Sequence, residues 1–446
     1  MGLIGLAPAA IAADDPEPAV PLSQGTYTDA AGKGHPWSVS AAHTLRWDGV
    51  AWIPTGLCFA PTAFAVAPTL SPADSQAADA KTLDGWKAAG IEDLLVGMPA
   101  PPAGAPGSAS DAPQFSDMPA PAAQSLLDKL EGNGFHYGID LRGVLRGASE
   151  GYSFGEPFTP AKETTVGLYS APAPEGVSSA LFVARDGAGA VIRMGSVDAK
   201  DGMLEASVPV ASSVYFVNIR HWGADQGVAN LWDGFPDGRD RVLTALHRLK
   251  LGTGLRFFLN PLDGPLAPTG RAAYFYPTSH HFRIEYEAWL RRRYATIANL
   301  CRRWGMSPDA LPDFETAGRL VPDGSVRPDA VWDPEKDRVV SLAPASSSLW
   351  TDFEEYRMAA AQHDMNTLAD SLRHNIADVP VLYRWQQFSQ LYGSSLDLVS
   401  FDGLAANPTG VGEHAEREAT YAYAQAADST PARWFMMYGG TGWTLG

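Results

Sequence analysis

Short apolar runs alternate with helical stretches over much of this chain. The run Ile53–Phe59 is followed by a helical stretch around Thr82–Ala89 and then by Ile91–Val96. Ala123–Leu130 reads as a second helix closed by Gly132-Asn133-Gly134, and Phe135–Leu141 as the next strand. A helix Arg239–Leu251 leads to a strand Leu255–Leu259, and a helix Leu349–Arg373 leads to Val379–Trp385. Leu396–Phe401 and Arg433–Tyr438 bring the strands to seven. This helix–turn–strand rhythm predicts parallel βα units.

Between residues 160 and 220 the period changes. Thr164–Tyr169, Ser179–Ala184, Val191–Val197, Leu204–Val210 and Val214–Ile219 alternate polar and apolar residues, with turn signals at Asp186-Gly187 and Asp201-Gly202. The pattern predicts a small antiparallel β-sandwich-like domain inserted into the larger fold. From Phe282, the apolar positions Tyr286, Trp289, Leu290, Tyr294, Ile297, Leu300, Cys301 and Trp304 keep a helical period. Thr296 is placed to cap a second helix there and Gly305 to end it. His43–Pro54 reads as a hairpin turning at Asp48-Gly49, and the Pro/Ala/Gly/Ser-rich residues 99–121 as an exposed loop.

The expected fold class is therefore α/β: a (β/α)8 TIM-type barrel in two parts, residues 41–159 and 221–446, with the insert at 160–220 and a signal-like, flexible leader at 1–40. Seven strands are countable where closure takes eight. Either one strand is unassigned or the barrel is C-terminally truncated, lacking its last unit.

Composition narrows the classes. The 446 residues carry a formal net charge of −17, against the basic face a nucleic-acid partner requires. No segment reaches the ~18 apolar residues of a membrane span. Gly2–Ala13 is small and apolar, and Ala10-Ile11-Ala12 fits a signal cleavage site, although no Lys or Arg precedes Lys33. The expectation is a secreted or periplasmic protein. Cys58 and Cys301, the two cysteines, lie in no C-x-x-C or Cys/His cluster, and His280-His281 has no H-E-x-x-H-type partner, so no metal is expected. Neither a P-loop, a dinucleotide fingerprint nor a G-x-S-x-G occurs, and no cofactor is expected. The 13 Trp, 15 Tyr and 18 Phe suit sugar stacking and a large core equally.

Three patches resemble the clan of (β/α)8 glycosidases that contains the family 42 β-galactosidases. Arg46-Trp47-Asp48-Gly49 followed by Trp52-Ile53-Pro54-Thr55-Gly56 is similar to the approach to the first barrel strand there. Glu287-Ala288-Trp289-Leu290-Arg291-Arg292-Arg293-Tyr294, continuing through Leu300 to Trp304-Gly305, resembles the family's helix pair. Trp350–Arg357 is similar to a helix start in the same enzymes. Packing alone also accounts for the helix pair, with Trp289, Tyr294 and Trp304 in the apolar stripe.

The resemblance implies a carbohydrate ligand or substrate at the C-terminal mouth of the barrel, and retaining hydrolysis by two carboxyl groups about 5–5.5 Å apart. It places an Asn-Glu pair at the end of the fourth strand and a Glu at the end of the seventh. Here Asn260 is present, but Pro261 stands where the acid/base Glu is expected, and Tyr438 where the nucleophile is expected. Asp263 and Asp402 are the candidate catalytic substitutes, and each precedes a glycine as a plain turn residue also would. Asp140 ends the third strand with the same two readings. Asn260, Trp222, Arg384, Trp385, Tyr438 and Trp443 are candidate sugar-binding residues at strand ends. Glu354 and Glu355 read as solvated helix residues. The alternative to hydrolysis is a non-catalytic glycan-binding relative.

Overall fold

The structure, a computed structural model, describes residues 23–39, 45–52, 56–62, 70–97, 115–141, 149–154, 156–222, 231–260, 274–325, 327–342, 348–384, 403–406 and 435–437. Its centre is a seven-stranded sheet of Leu57–Phe59, Asp93–Val96, His136–Asp140, Leu255–Asn260, Val381–Arg384, Gly403–Ala406 and Phe435–Met437. Each strand pairs with the next in chain order, and every pairing is parallel. A sheet that steps one way throughout is the winding of a (β/α) barrel, whereas doubly wound folds reverse at a switch point. Among the described residues the first and seventh strands do not pair, so the sheet is open and the expected closure is not seen. The sixth strand is a correction. Gly403–Ala406 holds the place beside the fifth strand that the more apolar run Leu396–Phe401 was expected to take, and that run lies outside the described residues.

Among the described residues, seven helices accompany the sheets: α1 (Pro72–Ala88), α2 (Ala120–Gly132), α3 (Phe235–His247), α4 (His280–Tyr294), α5 (Ile297–Trp304), α6 (Phe314–Arg319) and α7 (Ser348–Asn375). Helices α1, α2, α3 and α7 lead into the second to fifth strands. Their ends follow local chemistry. The hydroxyls of Ser71, Ser279 and Thr296 accept from the backbone N–H three residues on, and Gly305 ends α5 at φ +67°. The expected cap and stop of the helix pair are both present.

The N-terminal end of the parallel strands is covered by an antiparallel sheet of Ser23–Thr28, Gly34–Val39, Leu45–Trp47 and Val50–Ala51. Its last hairpin turns at Asp48 (φ +52°) and Gly49 (φ +79°), two left-handed residues in succession, as the Asp-Gly pair predicted. Residues 23–39, expected within the flexible leader, instead form two strands that bury Tyr27, Trp37 and Val39 on one side. Trp37 Nε1 donates to the Asp378 carbonyl at 2.8 Å, and Tyr27 Oη to that of Gly252 at 2.9 Å, just below the fifth and fourth strands.

The insert is a two-sheet sandwich, wider than residues 160–220. One sheet orders Val191–Asp198, Ser179–Arg185, Ser213–Trp222, Ser149–Ser153 and Phe275–Pro277, with Thr159–Pro160 alongside the long strand. The other contains Lys162–Thr165, Leu168–Pro172 and Met203–Ser207. Thr164–Tyr169, expected as one strand, spans a hairpin because Gly167 adopts φ +77°. Alternation explains why the larger sheet is covered on both faces. Ala180, Phe182, Ala184, Val214 and Phe216 pack inside the sandwich, while Leu181, Val183, Val217 and Ile219 join the core shared with the parallel sheet. A fourth antiparallel sheet, Val321–Pro322, Ala330–Asp333 and Arg338–Ser341, packs on Val191–Asp198 and has no counterpart in the expected elements.

Candidate active site

Strand register places three polar residues at one end of the parallel sheet. Asp140 pairs with Leu259, Asn260 with Tyr383, and Arg384 with Ala405, so these positions on the third, fourth and fifth strands share the C-terminal edge. Asp140 is 2% exposed, and Gly97, just past the neighbouring strand, leaves it room: a Cβ there would overlap its side chain. Strands Ser149–Ser153 and Phe275–Pro277 of the insert continue from the third and fourth strands and bring Tyr152, Phe154 and Tyr276 into a ring stack with Trp350 of α7. All four rings are buried and belong to the core that joins the insert to α7.

Helix α7 reaches past that edge. Its C-terminal end lies at the opposite side, where Arg373 sits over the Trp37 ring at 5.9 Å. Its 28 residues extend ~42 Å, against ~20 Å for the six-residue fourth strand. Its first ten residues therefore overhang the mouth. Glu355 there is exposed and pairs with Arg293, as a solvated residue does. Glu354 departs from expectation. Its Oε1 is buried and without a hydrogen-bond partner, with Arg357 Nη1 3.5 Å away, and desolvation holds its carboxyl above the usual range while Arg357 opposes the shift. Its place on the inner stripe was legible from helical spacing, but its level relative to the strand ends was not.

The expected site residues are distributed as follows. Asn260 and Arg384 end the fourth and fifth strands. Trp222 ends the long strand of the insert, paired with Ser149. Asp263, Trp385, Asp402, Tyr438 and Trp443 lie outside the described residues. The sixth strand ends at Ala406, so the residue at its C-terminal end is not the one expected.

The two helical patches of the glycosidase resemblance prove to be one structural unit. Asp352 of α7, with no exposed surface, accepts from Tyr294 Oη (2.7 and 2.8 Å) and from Trp304 Nε1 (2.7 Å), and Arg293 Nε is 3.5 Å away. These partners come from α4 and α5, so a single carboxylate ties three helices. The Trp-Leu-Arg-Arg-Arg-Tyr and Trp-Gly signals thus report architecture.

Elsewhere polar groups are arranged for structure. At the N-terminal end of the sheet, Asp93 Oδ1 takes Trp52 Nε1 at 3.1 Å and faces His136 Nδ1 at 3.2 Å. A cleft of about 610 Å³ lined by Thr26, Trp37, Arg46 and Asp378 lies at that same end, away from the mouth. On the helical shell, burial raises the carboxyls of Glu285 and Asp364 above their ordinary range, and neighbouring acidic charge adds to each shift. His281 pairs with Asp233 at 3.0 Å instead of with His280. Among the described residues, no group of three His, Cys, Asp or Glu is placed to hold a metal, and no helix is long and apolar enough to cross a membrane.

No family model and no curated protein matches the chain. Among solved structures, a β-galactosidase from the psychrophilic Marinomonas ef1 aligns with a TM-score of 0.38 at 11% identity, covering 80% of this chain and 40% of that one. A β-galactosidase from Bacillus circulans sp. alkalophilus aligns with a TM-score of 0.39 at 10% identity, covering 84% and 43%. The chain spans about two-fifths of the length of either.

Proposed function

We propose that this chain is a glycoside hydrolase-like protein that acts on or binds carbohydrate at the C-terminal end of its parallel sheet. The supporting observation is the singly wound sheet whose Asp140, Asn260 and Arg384 share that edge, the end at which barrel enzymes build their sites. A carboxylate, an amide and a guanidinium suit sugar hydroxyls. The class of ligand rests on the sequence resemblance to family 42 β-galactosidases.

In the hydrolytic reading Asp263 supplies a carboxyl group, and Trp222, Trp385, Tyr438 and Trp443 contact the sugar. The glycan-binding reading is favoured by Pro261, which has no proton to give at the expected acid/base position. Export, proposed from Gly2–Ala13, agrees with either.

Calorimetric binding of galactose and lactose, run beside hydrolysis of 4-nitrophenyl β-galactoside, separates these readings. Turnover abolished by Asp263→Asn supports hydrolysis. Binding without turnover supports the glycan-binding reading, and absence of both across a broader sugar panel overturns the proposal.

A further inference from the structure

The fold uses the Arg46-Trp47-Asp48-Gly49 patch except at its first residue. Trp47 is buried with the Arg256 guanidinium 4.6 Å from its ring, Asp48 holds His35 at 2.8 Å, and Gly49 completes the hairpin turn. Arg46 points the other way. Strand register sets Gln24, Ser38 and Arg46 in one row across three strands, and alternation turns that row away from the buried Trp37 and Trp47. All three line the cleft of about 610 Å³, together with Thr26 and Asp378. Every residue lining this cleft is among the described ones.

The chain carries 50 Asp and Glu against 33 Lys and Arg. Even so, among the described residues none pairs with the Arg46 guanidinium, and its Nε is covered by protein without an acceptor. The root of the fork is therefore held in place while its charge goes unmatched. Asp378, the carboxylate of the same cleft, is engaged elsewhere. Its Oδ2 accepts from the Thr26 backbone N–H at 2.8 Å, and a Cβ on Gly25 would overlap the carboxylate. The cleft thus offers one guanidinium without a counterion beside the hydroxyls of Thr26 and Ser38 and the amide of Gln24.

We propose that this cleft binds a small hydroxylated carboxylate, a sugar acid or hydroxy acid, with Arg46 taking the carboxylate and Gln24, Thr26 and Ser38 the hydroxyls. The planar guanidinium fork matches the two oxygens of a carboxylate. A monoanion is favoured over a dianion such as sulfate, because Asp378 and the net charge of −17 oppose each further negative charge. The site lies at the end of the sheet away from the mouth, so it stands independently of the carbohydrate reading.

The test is calorimetric titration of the full chain with galacturonate, gluconate, acetate and sulfate at constant ionic strength, beside thermal melts. The titrations are repeated with Arg46→Gln and Ser38→Asp. Ser38→Asp sets a carboxylate across the strand from Arg46, at the ~5 Å of a cross-strand pair, and so occupies the guanidinium without removing it. Galacturonate or gluconate is expected to bind saturably, the tighter one distinguishing a ring acid from an open-chain one. Each variant should weaken that binding about tenfold or more, and acetate, lacking the hydroxyls, should bind more weakly than either acid. Galactose, which has no charge, should displace neither. Arg46→Gln should melt within about 2 °C of the parent; if it unfolds instead, Ser38→Asp alone decides. The proposal is overturned if neither acid binds saturably, if both variants keep the parent affinity, or if sulfate binds as tightly as the acids. Displacement of the acid by galactose would assign it to the mouth and overturn the proposal too.

Discussion

At the N-terminal end of the parallel strands, polar groups close on one another: Trp52 and His136 on Asp93, Trp37 on Asp378, and His35 between Asp29 and Asp48 at 3.2 and 2.8 Å. At the C-terminal end, Glu354 of α7 faces the buried Arg357 at 3.5 Å and stays half-exposed. The first end is covered by a sheet built from the chain's first described residues; the second is flanked by an insert and an overhanging helix. Neither end satisfies every buried group, since Arg46 Nε and Trp47 Nε1 at the first lack hydrogen-bond partners as Glu354 Oε1 does at the second, so the two ends differ in what covers them and not in whether every polar group is paired.

Trp37→Ala attacks the closed end directly. It removes a buried ring, its hydrogen bond to Asp378 and the surface under Arg373, and should cost about 3–5 kcal/mol in urea denaturation. A loss under about 1 kcal/mol would mean that the covering sheet is not part of the cooperative core. Gly138→Ala tests the interior of the parallel sheet. The added Cβ would overlap the Phe257 ring, and a loss of about 1–3 kcal/mol is expected, with ring movement visible by NMR.

Acid should act on the N-terminal end through Asp29. Backbone N–H groups of Lys33 and Ala31, with His35, hold the Asp29 carboxyl below its ordinary range, the Lys33 bond being the largest cause. A depressed folded value means stability that is present above the unfolded value near pH 4 and lost as pH falls through the folded one. Asp29→Asn should therefore lower the melting temperature at pH 7 and flatten its decline below about pH 4; an unaltered acid limb counts against this account.

The smallest stability effect belongs to the mouth. Arg384→Ala should change stability by about 0.5 kcal/mol or less while weakening sugar binding. A large stability loss without any binding change would erase the distinction between the two ends.

The parts of the fold written in period were legible. The parallel strands, the capped helix pair and the Asp48-Gly49 hairpin follow from residues close in sequence. Ser23–Val39 was not, because its alternation is diluted by small and polar residues such as Gln24, Gly25 and Gly34, and its apolar positions gain meaning only against the core they cover. The sixth strand was misplaced because Gly403–Ala406 is less apolar than the run before it. Of the candidate site, Asn260 and Arg384 were readable as strand ends. The burial of Arg357 against Glu354 was not, because it depends on what packs on the first turns of α7, a long-range matter. Asp352 was hidden for a similar reason: its three partners lie between 48 and 59 residues away along the chain.

The pairing of Phe275–Pro277 with Ser149–Ser153 has a consequence for how the protein is made. The sandwich looks like a module that folds as soon as its hairpins leave the ribosome, yet its larger sheet lacks its last member until residue 277 has been synthesised. By then the fourth strand of the barrel-type sheet has also emerged. Growth from the N-terminus thus delivers the two sheets together, and a nascent chain halted before that strand would carry Ser149–Ser153 as a bare edge, open to pairing with another chain.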